Sequence, residues 1–434
     1  MNIPQIHLWF FWLFVILYLA HLSVEIFLDL LNLKELEKHR RQIPALFQNS
    51  FSPEEYEKSI AYTRSKIHFS WFQTGFDALV LWLLILTGGF GALDQWLDRF
   101  FPVESLPHQV AYPLLVGGIF YLLHLPFGIY HSFVLEERFG FNKTTGRTFA
   151  LDQIKTLLVG LFLGVPLLTL IFKSFDWLGN LWWLGGWGVV MGFQLLTAAL
   201  LPVILIPLFY KFTPLETGEL KERIHRLAEK IRFKMSGVFT IDGSRRSTHS
   251  NAFFAGMGRA RRIVLFDTLA TKLTTPEILS VLAHEMGHNV KKHIQKSLLL
   301  SAFTALAGFY FLSLLLDWQP FFTTFGVSRP GIHVGLVLFG LLSSVFAFPV
   351  NPLFKWISRR NEYEADRFSV EVTGDKANMQ SSLIKLSRDN LSNLTPHPWY
   401  SFYHYSHPTT AERVQTIAAL KVGDGVLREQ SLEG

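Results

Sequence analysis

One short run in this 434-residue chain has the residue types and spacing for hydrolytic metal chemistry: His284-Glu285-Met286-Gly287-His288. Histidines four apart lie on one side of an α-helix, a turn from each other, where their ring nitrogens can share one zinc ion. Glu285 could then reach a zinc-activated water as general base, while the zinc polarises the scissile carbonyl. The same five letters also occur on ordinary core helices, so a third ligand is needed. A longer pattern ending in a third histidine fails, because Lys291 stands where it needs Gly and Ile294 where it needs His. His293 is five residues past His288, about 140° round a continuous helix, and is expected to point elsewhere.

A better source of the third ligand is the run from Ser358 to Arg367, where Glu362 and Asp366 share a helix face at i, i+4. One carboxylate could bind zinc while the other holds a ligand imidazole by its second nitrogen. A solvated charged helix with Glu–Arg pairs would read the same way. Glu364 faces away from both and is the weaker ligand candidate.

The elements that must position these groups can be read around them. Thr275 is a candidate N-cap for the histidine helix, with Pro276 suited to the first helical position. Leu220, Ile224, Leu227 and Ile231 recur at helical spacing within 211–236. Residues 237–241 and 262–266 read as short strands, the first followed by an Asp242-Gly243 turn. Arg262, Ile263, Val264, Leu265 and Phe266 are expected to accept an extended substrate by strand addition, or else form a plain sheet strand.

Composition places this chemistry at a membrane. Half of the chain is hydrophobic and only 17% is charged, yet mean hydropathy is a modest +0.27. That balance implies a membrane part joined to a sizeable soluble part, and excludes a disordered or fibrous chain. With no cysteine, disulfides and thiolate metal sites are excluded as well. Apolar runs of spanning length occur near 8–31, 70–93, 111–135, 154–172, 181–210, 297–317 and 333–354. The first lacks a basic leader and a cleavage site, so it reads as a span.

Assigning Lys and Arg to the connections puts 36 of the 40 on one side of seven spans and three on the other, with Lys155 inside a span. The positive-inside rule then puts the N-terminus outside and the tail in the cytoplasm. The net charge of +6 is thus an orientation signal, and no nucleic-acid partner is expected. Residues 1–210 hold five spans, 211–296 a cytoplasmic protease segment, 297–354 spans six and seven, and 355–434 a cytoplasmic tail segment. Glu25, Asp29, Asp77, His124 and His131 fall in or near spans, where ionisable groups face a cavity, an interface or a span end.

Several further stretches carry a resemblance. They are Phe133 to Lys143, Pro207 to Leu215, Ser247 to Phe254, His407-Pro408 and Glu412-Arg413. With the histidine helix, the Glu-Tyr-Glu-Ala-Asp run and seven spans, the chain resembles the type I CAAX prenyl protease family, integral-membrane zinc endopeptidases of the gluzincin type. A heat-shock membrane protease of the same superfamily shares only the zinc motifs.

The resemblance implies a mostly α, seven-transmembrane-helix protein enclosing a chamber, with a cytoplasmic α+β zinc metalloprotease domain. It implies one Zn2+ per chain held by His284, His288 and Glu362, with Glu285 as base and Asp366 behind the ligands. It places Asn251 and His407 at the substrate and its oxyanion. Arg413 could pair with a site carboxylate or form a structural salt bridge.

The expected function is cleavage near the C-terminus of isoprenylated CAAX-type proteins in the lipid bilayer, by a monomer. A quality-control protease acting on misfolded or translocon-jammed chains uses the same chemistry. A seven-span transporter or receptor with a structural zinc is the reading of another class. The Ser431–Gly434 end carries no dilysine signal, which favours a bacterial plasma membrane over the endoplasmic reticulum.

Overall fold

A computed structural model of the chain describes residues 8–256 and 261–421; Ser431–Gly434 lies outside the described residues. Long apolar helices dominate it: Leu8–His39, Pro53–Leu86, Leu106–Tyr130, Gly146–Leu178, Trp182–Leu200, His293–Leu316 and Ile332–Ala347. Local sequence explains where they begin. Ser52 and Glu55 form a reciprocal capping box, with Pro53 just inside, so the second helix starts there. Ser105 and Thr145 accept bonds from backbone N–H groups at the starts of their helices.

These helices turn large apolar side chains outward. Phe162, Leu86 and Phe72 are 75%, 74% and 70% exposed, the inverse of a water-soluble surface and the form a bilayer requires. Among the described residues, five stretches are long and apolar enough to cross a membrane, or six if the pair Ile332–Ala347 and Asn351–Thr373, bent by 71°, is one span. One of the five, Gly146–Phe209, is 64 residues long. As a single rod it would measure ~96 Å against a hydrocarbon core of ~30 Å. It breaks at Gly179, whose φ of +52° favours glycine, and the two arms pack on each other around Phe172 and Trp182.

The five ionisable groups expected in or near the spans have polar partners. His124 lies 2.7 Å from Asp77, and Trp71 donates to Asp29 at 2.7 Å. Glu25 sits between His404 and His21 at 3.4 and 3.6 Å, and His131 is 3.8 Å from Glu136.

Between the fifth and sixth of these helices the chain folds a small sheet in the order β1 (Phe212–Pro214), β2 (Gly237–Ile241), β4 (Arg262–Phe266), β3 (Ala252–Ala255). β2 and β4 are parallel; the outer pairings are antiparallel. Strands were expected over 237–241 and 262–266, and both form there. The helix expected within 211–236 is shorter, Glu219–Lys230, because Phe212-Thr213-Pro214 instead pairs with β2 as an edge strand. Ile224, Leu227 and Ala228 from that helix share a core with Ile263 and Leu265 of β4 and with Ile278, Leu282 and Met286 of the histidine helix. The sheet thus sets the height and tilt of that helix.

Candidate active site

The histidine helix, Thr275–Val290, is pinned at its start. Its N-cap is Thr274, one residue before the expected Thr275, because Thr274 bonds Glu277 through both its backbone N–H (2.8 Å) and its hydroxyl (3.0 Å). Glu277 is buried and receives Ser381 at 2.6 Å and Lys385 at 2.7 Å. With its apolar face against the sheet core, the helix turns His284 and His288 toward a second helix, Asn351–Thr373.

Gly287 decides how close that second helix can come. A Cβ at Gly287 would lie 3.2 Å from the Ala365 Cα and 3.0 Å from the Phe368 ring. Any larger residue would push the helices apart and carry Glu362 away from the histidines. The sequence pattern tolerates many residues here, and the need for glycine is visible only in the crossing.

Three ligand atoms converge at this crossing. His284 Nε2 and His288 Nε2 are 3.2 Å apart, and Glu362 oxygens lie 3.4 and 3.2 Å from them. Ligands about 2.0 Å from one tetrahedral ion would be ~3.3 Å apart, so the residues fit a single metal of zinc's size. Glu362 Oε2 is buried without a hydrogen-bond partner, as an oxygen reserved for a cation would be.

The charge balance agrees. Burial opposes charging His284, but the carboxylates of Asp366 and Glu362 beside it outweigh that and raise its pKa to about 9. Surroundings that hold a proton so firmly would also favour a metal cation in its place. Burial alone would raise the Glu362 carboxyl, yet the two histidines and Arg413 hold it far below the usual carboxylate range.

Each histidine is held from behind. His284 Nδ1 is 2.7 Å from Asp366, and Arg413 grips Asp366 with two bonds, 2.8 and 2.6 Å long. This fixes the tautomer that leaves Nε2 free. Of the two carboxylates left open by the sequence, Glu362 thus meets both ring nitrogens and Asp366 stands behind one ring.

His288 Nδ1 contacts His293 Nδ1 at 3.0 Å, and His293 Nε2 contacts Glu364 at 3.2 Å. The expectation that His293 points elsewhere is corrected here. It assumed one continuous helix, but Lys292 breaks it at φ +58°, and His293 opens the next helix facing back toward His288. Glu364 bonds His293 and does not reach the ligand cluster among the described contacts.

Glu285, Asn251, His407 and the ligands line one cleft of about 620 Å³. Burial raises the pKa of Glu285, the direction that suits a proton acceptor at neutral pH. His407 Nε2 lies 3.4 Å from Glu362. Asn251 leads into β3, its side chain accepting from the Ala252 N–H at 2.8 Å.

The expected substrate strand, Arg262 to Phe266, needs correction. Its neighbours β2 and β3 occupy both edges, and Ile263, Val264 and Leu265 are fully buried, so no further strand can add there. Among the described residues the unpaired edge beside the cleft belongs to β3, whose short Ala-Phe-Phe-Ala sequence gave no separate strand signal.

The geometry fits a metallopeptidase built into a membrane scaffold. Known proteins agree. The family described as CAAX prenyl protease N-terminal, five membrane helices, matches residues 32–211, and peptidase family M48 matches 214–421. CAAX prenyl protease 1 of Saccharomyces cerevisiae is 34% identical over 426 residues, covering 92% of this chain and 93% of the relative. The human CAAX prenyl protease 1 homolog is 29% identical, covering 89% and 91%. The crystal structure of S. mikatae Ste24p superposes with a TM-score of 0.87 at 33% identity, covering 94% of this chain and 98% of that one. The chain belongs to the CAAX prenyl protease family, peptidase family M48, and is a membrane metalloendopeptidase.

Proposed function

We propose that the chain is a zinc endopeptidase that cuts isoprenylated CAAX-type proteins near their C-terminus. The observation that carries this is the convergence of His284, His288 and Glu362 in the cleft that also holds Glu285. Zinc bound there would supply a Lewis acid for the scissile carbonyl and would acidify water. Glu285 takes the proton of the attacking water and passes it to the leaving amine. His407 and Asn251 donate hydrogen bonds to the carbonyl oxygen as charge builds on it. Asp366, with Arg413, and His293, with Glu364, hold the two imidazoles in place. An extended substrate adds to the free edge of β3.

In this reading the chain crosses the membrane seven times, Gly146–Phe209 counting as two spans, which the 64-residue length supports. The Lys and Arg bias supports an outside N-terminus and a cytoplasmic site. The polar pairs between apolar helices fit a water-filled chamber. All of the clustered residues come from one chain, so a monomer suffices.

The test is cleavage of a farnesylated CAAX peptide by the full-length protein. Glu285→Ala should lose at least ~10³-fold in kcat, within the range of general-base catalysis, and retain about one zinc per chain. Full activity in that variant would sink the mechanism. A wild type that cuts unprenylated, unfolded chains but never the farnesylated peptide would move the assignment to quality control.

A further inference from the structure

A second cleft, of about 570 Å³, adjoins the one over the metal ligands and shares Asn390, Ser392, His407, Thr410 and Arg413 with it. Its volume is in the range that encloses a small ligand, here a short peptide end. Among the described residues that line it there is no Asp or Glu, while Lys66 and Arg413 both do. Arg413 is already committed to Asp366.

Lys66 is not committed. Among the described residues it makes no salt bridge and no side-chain hydrogen bond; its ammonium rests 4.4 Å from the centre of the Tyr62 ring. Glu136, whose charge reaches it, is held by the Tyr62 hydroxyl at 2.6 Å and by His249 at 3.2 Å. Lys66 is exposed in the charged first half of the helix Pro53–Leu86, just before its apolar run. A cation stacked on a fixed ring, in a cleft of hydroxyl and amide groups with no acid, is a receptor for an anion.

We propose that Lys66 binds the free C-terminal carboxylate of the substrate. This rests on the function proposed above and adds the feature that sets the cut. Three extended residues span at most ~10 Å. A carboxylate anchored at Lys66, in a cleft that shares five lining residues with the one over the metal ligands, would set which peptide bond reaches Glu285. The cleft reads a chain end, and the residues between the end and the cut set the distance.

The experiment uses the full-length protein in neutral-lipid vesicles and two farnesylated CAAX peptides, one ending in a free acid and one in an amide. The wild type should favour the acid at least ~20-fold in kcat/KM, because a site built for a charged group rejects the analogue lacking it. Lys66→Met should lose that factor on the acid, mainly through KM, and leave the amide unchanged; Lys66→Arg should keep the preference. Zinc content and thermal midpoint check that Lys66→Met is folded, and binding of both peptides to Glu285→Gln gives the contrast without turnover.

Equal cleavage of acid and amide by the wild type overturns the inference, as does a Lys66→Met loss that falls equally on both. An effect seen only after anionic phospholipid is added assigns Lys66 to a headgroup and also overturns it. An unprenylated acid and amide pair keeps the two readings apart. If only the farnesylated peptides fail, the substrate class is wrong, while the pair still tests Lys66.

Discussion

Among the described residues, two groups of two histidines and a carboxylate, one buried and one with His288 half-buried, sit near opposite ends of the helix His293–Leu316, which is ~36 Å long. At one end, His284, His288 and Glu362 leave a carboxylate oxygen without a hydrogen bond and open onto a cleft. At the other, His333 bonds Asp94 at 2.7 Å, and Arg329 bonds Asp94 and Asp98 together at 2.5 to 3.0 Å. His108 completes that knot, 3.1 Å from Asp98. The unanswered atoms there are the Nδ1 atoms of His108 and His333, across each ring from the Nε2 that meets the acids. Composition is therefore not what makes a metal site. What differs is how close the arginine comes: Arg413 grips Asp366 and stays 3.7 Å from Glu362, whereas Arg329 bonds the central carboxylate Asp94 directly at 2.5 Å and fills the place of a cation.

The strongest way to break the comparison is to remove the unanswered carboxylate. Glu362→Ala should lose its metal on dialysis, a drop in affinity well beyond the ~10–100-fold expected for partners behind a ligand. Metal analysis of the purified variant checks this, and retention of one ion per chain would refute the ligand set.

Arg329→Met comes next. It takes the arginine from buried Asp94 and leaves the two histidines as its partners, so the cost should fall at or below the ~3–5 kcal/mol of a broken buried pair. The thermal midpoint should fall, while metal content and cleavage per folded molecule stay at the wild-type level. Metal loss in this variant would mean that the two ends are coupled.

A smaller effect separates support from ligation. His293→Phe keeps an aromatic ring but removes the bond to His288 Nδ1, and chelator competition should show metal bound ~10–100-fold more weakly. An unchanged affinity would reduce His293 to packing.

These predictions differ in how far the sequence could have led to them. His284 and His288 were legible from their i, i+4 spacing, and Glu362 with Asp366 as the pair holding a third ligand; only the family resemblance chose Glu362 between them. The spans and β2 and β4 were legible from run length and composition. His293 was not, since the break at Lys292 depends on how the next helix packs. The free edge of β3 was not, since edge status belongs to the whole sheet. The knot at Asp94 was invisible because Asp94 and His333 are 239 positions apart, and nothing local marks either as paired.

The least of the expected effects lies at the other end of the histidine helix, at Glu277. Burial pushes its carboxyl up, but Lys385, Ser381 and Thr274 outweigh that and hold its pKa below the ordinary value. A carboxyl whose pKa is lower when folded adds stability above its unfolded pKa, and that stability disappears as pH falls through the folded value. The wild type should therefore lose stability from about pH 4.5 downward, the ordinary value being 4.5. Glu277→Gln removes this carboxyl. The variant should be less stable at pH 7 by about 1.5 kcal/mol, the scale of a hydrogen bond to a charged group, and its disadvantage should shrink toward pH 3. Thermal midpoints of both proteins at pH 7, 5, 4 and 3 test this. A gap that stays constant with pH would mean that Glu277 acts through shape and its neutral bonds alone, and that the histidine helix is set by the sheet beneath it.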